Sequence, residues 1–84
     1  MAASLSADAV LTRHFNEARS RLLDLAAILD RVERGAGAAG VRNDPRLVKT
    51  REAITALLSE GADRAERVQM IFSRPYELGW QTRR

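Results

Sequence analysis

The most regular patterning of apolar and polar positions lies in the first third of the chain. Leu11, Phe15, Ala18, Leu22, Leu25, Leu29 and Val32 are separated alternately by four and three residues, the spacing of an a/d stripe held over three heptads. It predicts a helix over about 7–34. Leu23, Ala26 and Ile28 widen the apolar surface beyond a two-stranded seam, so this helix is expected to meet more than one neighbour. Ser6 suits the N-cap, Asp8 falls in the first turn, and Gly35 after Arg34 suits a glycine C-terminal cap.

The next stretch, residues 35–44 (GAGAAGVRND), loses the periodicity and reads as a loop. Asp44 followed by Pro45 is the signature of an N-cap with proline in the first helical position. It opens a helix over about 45–59 that directs Leu47, Ile54, Leu57 and Leu58 inward. Gly61 interrupts the pattern, and a third helix over about 62–73 offers Ala65, Val68, Ile71 and Phe72 before Pro75 ends it. Residues 74–84 carry no helical pattern and form a tail that holds Tyr76 and Trp80.

These elements make one all-α domain over 1–84. At 1.5 Å per residue the first helix is about 40 Å long, and the two shorter helices laid end to end match it. The expected architecture is a long N-terminal helix packed against two shorter helices in a bent helical hairpin. Dimerisation through the flank left uncovered would complete a bundle.

Composition sharpens that expectation. Leu, Ile, Val and Phe occupy 20 of 84 positions, and 14 more are alanines, which favour helix but bury little. There is no cysteine, so neither disulfides nor thiolate zinc sites can reinforce so thin a core. Small domains short of core are commonly completed by oligomerisation, and a homo-oligomer, with a dimer favoured, is expected. No apolar stretch approaches the roughly 20 residues that span a bilayer. The start, MAASLSADAV, lacks the basic and apolar regions of a secretory signal, and a cytoplasmic setting is expected.

The formal charge is +3 and the pI about 10.5, which raises the question of nucleic acid. Residues 8–34 carry five basic and five acidic groups, while the last twelve carry three against one. Interleaved charge of this kind is the mark of solvated helix surfaces rather than of a phosphate-binding face. The turn near Gly61 suggests a helix-turn-helix. Its reading helix, however, would expose Asp63 and Glu66 beside Arg64, Arg67 and Gln69, and two acids on a short face repel phosphate. Nucleic acid is therefore the third-ranked partner. Thirteen of the fourteen basic residues are arginine, Lys49 being the exception.

Three motifs bear on chemistry. Gly35 to Gly40 spells G-x-G-x-x-G, but dinucleotide binding requires a strand before it and a helix N-terminus after it. Here a helix precedes, so the segment reads as a connection, with no cofactor implied. His14 and Glu17 stand three residues apart on one helical face, and a two-fold axis would bring two such pairs together as metal ligands. That pair is the candidate metal site and gives the second reading, a small metal-binding helical bundle. One histidine, no cysteine and serines that, apart from Ser20 within the first helix, sit at chain and helix ends leave no evident nucleophile and base, so no catalysis is expected.

The favoured reading is a protein-interaction or assembly module with no cofactor, no membrane span and a possible protein partner. Its expected contact residues are Leu11, Phe15, Leu22, Leu25, Ile28, Leu29 and Val32 of the long helix. Tyr76 and Trp80 join them as a cap on the bundle's end or as an anchor.

Overall fold

A computed structural model describes residues 5–74. The class is all-α: three α-helices and one short 3-10 turn, with no strand among the described residues. The chain divides into two compact units between Ala36 and Gly37.

The first unit is a single helix, α1, spanning Ala7–Arg34. Its start is fixed by Ser6, whose backbone is extended and whose side-chain oxygen accepts the Ala9 N–H at 3.1 Å, satisfying one of the donors a helix start leaves over. Asp8 near the N-terminus and Arg31 and Arg34 in the last turn complement the helix dipole. Gly35 does follow the helix, but not in the left-handed conformation expected of a C-terminal glycine. It is extended, with φ −72° and ψ 156°, and its N–H reaches the Val32 carbonyl at 3.1 Å. The left-handed residue is Gly37, at φ 78°, where only glycine is unstrained.

The second unit begins with that glycine. Within the loop expected over 35–44, Ala38–Val41 form a 3-10 turn. Gly40 donates to the Gly37 carbonyl at 2.8 Å and Asp44 to that of Val41 at 3.0 Å. Helix α2, Pro45–Leu57, starts as Asp44-Pro45 predicts. The Asp44 carboxylate accepts the Arg46 N–H at 2.8 Å and the Arg46 guanidinium through both oxygens at 2.9 Å. The Arg46 side chain, with help from its N–H, holds the Asp44 carboxyl down at about 2. Arg51 reaches back to the Arg42 carbonyl at 2.9 Å and ties the helix to the turn before it.

Helix α2 ends two residues before the expected Ser59. Leu58 and Ser59 donate to carbonyls three residues back, and the Ser59 hydroxyl also donates to Ala56 O at 2.6 Å, which tightens and closes the last turn. Gly61 then takes φ 114°, Asp63 occupies the cap position, and α3 runs Arg64–Ser73. It starts two residues after the expected Ala62.

Helices α2 and α3 pack together, and the covered positions match the pattern only in part. The buried positions are Lys49 and Ala53, one turn apart on α2. Leu47 and Ile54 are half-covered on a neighbouring face. Leu57 is exposed, and Leu58 is 82% exposed because it lies beyond the last helical residue. On α3, Val68 and Ile71 are half-buried, whereas Ala65 and Phe72 face solvent. A small side chain at Ala53 lets the second helix approach. Lys49 lies alongside with its stem covered, and its ammonium donates to the Arg74 carbonyl at 2.5 Å, just past the end of α3.

Candidate functional site

The expected contact residues of α1 are the dominant exposed feature of the first unit. No residue of this 28-residue helix is buried. Leu11 and Leu22 are each 61% exposed, Phe15 is 54% and Ile28 49%. Leu25, Leu29 and Val32, further along the same stripe, are half-covered. Leu5, Val10 and Leu23 add exposed apolar surface outside it. A lone helix gains its stability mainly by burying an apolar face, and this one presents its face at regular spacing along its length. Tyr76 and Trp80 lie outside the described residues.

His14 and Glu17 do stand on one face, with His14 Nδ1 3.6 Å from Glu17 Oε1. The other carboxylate oxygen of Glu17 is held by Arg21, whose Nη2 lies 2.6 Å and Nε 3.2 Å away. Arg21 is the main reason the Glu17 carboxyl sits below its ordinary range, with His14 a lesser one, and the same bond raises Arg21. Both His14 and Glu17 are more than half exposed. No group of three or more potential metal ligands occurs among the described residues. The pair thus belongs to an exposed surface cluster in which Arg21 occupies one oxygen of the Glu17 carboxylate and His14 faces the other.

The face of α3 considered for nucleic acid is likewise occupied with its own structure. Arg64 donates to the Ser59 carbonyl at 2.8 Å, Arg67 to the Ser59 hydroxyl, and Asp63 faces Arg67 at 3.7 Å. The link between α2 and α3 spans six residues, 58–63, longer than the three or four of a helix-turn-helix.

A cluster missed by the pattern joins Lys49, Glu52 and Arg74. Arg74 pairs with Glu52 through its guanidinium and accepts Lys49 through its carbonyl, fastening the end of α3 to α2. The single lysine among thirteen arginines was the available signal. At a buried site against a carbonyl, a compact rotatable ammonium fits where a planar guanidinium does not. On the second unit, Leu57, Leu58, Met70 and Phe72 form further exposed apolar surface.

No helix among the described residues is long and apolar enough to cross a membrane. No family model, curated protein or solved structure matches the chain.

Proposed function

We propose that this chain is a cytoplasmic helical assembly module without catalysis of its own, which works by burying the stripe of α1 against a second copy. The observation that carries the reading is a 28-residue helix with apolar a/d positions over three heptads and no residue buried. Such a stripe is the surface by which helices associate, since each a/d side chain packs between four residues of the facing helix. Its exposed Leu and Phe positions exceed the scattered single apolar residues ordinary on a soluble surface. Absence of cysteine suits a compartment in which disulfides would not form.

If association and folding are linked, the melting temperature depends on concentration. Thermal unfolding of the intact chain, followed by circular dichroism between about 2 and 200 μM, is expected to show Tm rising with concentration. A Tm that stays fixed across that range refutes the reading.

A further inference from the structure

The order of side chains along α1 specifies more than a sticky face. With three residues from a to d and four from d to a, Phe15, Leu22 and Leu29 take the a positions, and Leu11, Ala18, Leu25 and Val32 the d positions. A strict repeat of seven on a helix of 3.6 residues per turn drifts steadily around the axis. It stays in contact only with another helix that supercoils with it, so the occupant of the stripe is a helix.

Parallel pairing of two copies would set Phe15 against Phe15 and, one layer on, Ala18 against Ala18. A bulge would then sit next to a void. It would also place His14, at g, beside Arg19 of the partner at e, and the apolar Ile28 beside the partner's Glu33. Antiparallel pairing centred between Leu23 and Asp24 removes each of these mismatches. Phe15 then faces the partner's Val32, Leu22 faces the partner's Leu25, and Ala18 faces the partner's Leu29, so each of these layers joins a large to an equal or smaller side chain, while Leu11 lies past the end of the partner's helix. At the flanks the aliphatic stem of Arg21 lies over the partner's Ile28, which is 49% exposed in the single chain. The hydroxyl of Thr12 comes within a turn of the partner's Glu33 carboxylate.

We propose that α1 pairs with α1 of a second copy in this antiparallel register. The proposal rests on the assembly reading above and adds its orientation. The chain has no cysteine, so a nitroxide can be placed at one site. Arg13 and Ser20 are both exposed and occupy the f position, away from the stripe. In the intact chain, Arg13→Cys and Ser20→Cys are each labelled and the distance between copies is measured by pulsed dipolar spectroscopy. At 1.5 Å per residue, the antiparallel register separates the two Arg13 labels by about 32 Å along the axis and the two Ser20 labels by about 10 Å. The expected result is a single distance at each site, longer at 13 than at 20 by more than about 10 Å. Equal distances at the two sites mean a parallel pair, which overturns the orientation and leaves the assembly reading standing. Several distances per site mean a higher oligomer and likewise overturn the two-copy register. Absence of dipolar coupling, with sedimentation as a monomer, overturns both.

Discussion

Replacing Leu22 by alanine tests the stripe where its geometry is least ambiguous. Alanine is the better helix former, so α1 itself does not suffer, and Leu22 is 61% exposed, so little packing inside the protomer is lost. The substitution removes three carbons, worth about 0.8 kcal/mol each when taken fully out of water. Scaled by the 61% of Leu22 still open to a partner, the loss is about 1.5 kcal/mol per copy. A dimer contains the site twice, and about 3 kcal/mol corresponds to a dimer about 100-fold weaker. Dilution calorimetry of wild type and variant reads that difference directly. Leu23→Ala is the matched control: it removes the same atoms from a site 54% exposed but about 100° around the helix from Leu22, off the stripe. It should change dissociation by less than about threefold. Equal weakening by the two variants would mean non-specific hydrophobic association, and no weakening by Leu22→Ala would refute the stripe as an interface.

Further expectations concern the second unit and the connection. Lys49→Met keeps the buried stem but deletes the ammonium that reaches Arg74 O. It should destabilise the intact chain by about 1–2 kcal/mol in urea unfolding, with Lys49→Ala worse because a void is added. Asp44→Ala, which removes the N-cap of α2, should lower Tm by several degrees, whereas Asp44→Asn, still a capping residue, should recover most of the loss. The Asp44 carboxyl is held at about 2 in the folded chain, below its unfolded value near 3.9. Its contribution is therefore complete above about pH 4–5 and is lost as pH falls towards 2. Acid titration of Tm should show that slope in wild type and a shallower one in Asp44→Asn. Gly35→Ala should be neutral to stabilising, because Gly35 is extended and an added Cβ meets only ordinary contacts at 3.4 Å from Val32 O. Gly37→Ala, at φ 78°, should cost about 1 kcal/mol by the same thermal measurement.

The contrast between the two units shows which physics the sequence displays. α1 was legible from end to end because cap, dipole charges and heptad spacing agree over eight turns: Ser6, Asp8, Leu11 to Val32 and Arg34 say the same thing. The start of α2 was legible for the same reason, since Asp44-Pro45 is local chemistry. Its buried face was not. Hydropathy selects Leu47, Ile54, Leu57 and Leu58, whereas close approach of α3 selects the small Ala53 and an amphipathic Lys49. A lysine's stem and head belong to different environments, and no single hydropathy value expresses that. Helix ends set by serine back-bonding at Ser59 and by left-handed glycine at 61 were misplaced by two residues each. The Glu17–Arg21 pair was foreseeable from i,i+4 spacing. It occupies one oxygen of the carboxylate, Oε2, while His14 faces the other.

Sedimentation equilibrium of the intact chain from about 1 to 100 μM tests the central claim most directly, since association must show as mass. Burial of the α1 stripe against a second copy predicts a particle of twice the 9.3 kDa chain mass that dissociates on dilution. A folded helical species that stays at 9.3 kDa throughout would contradict it.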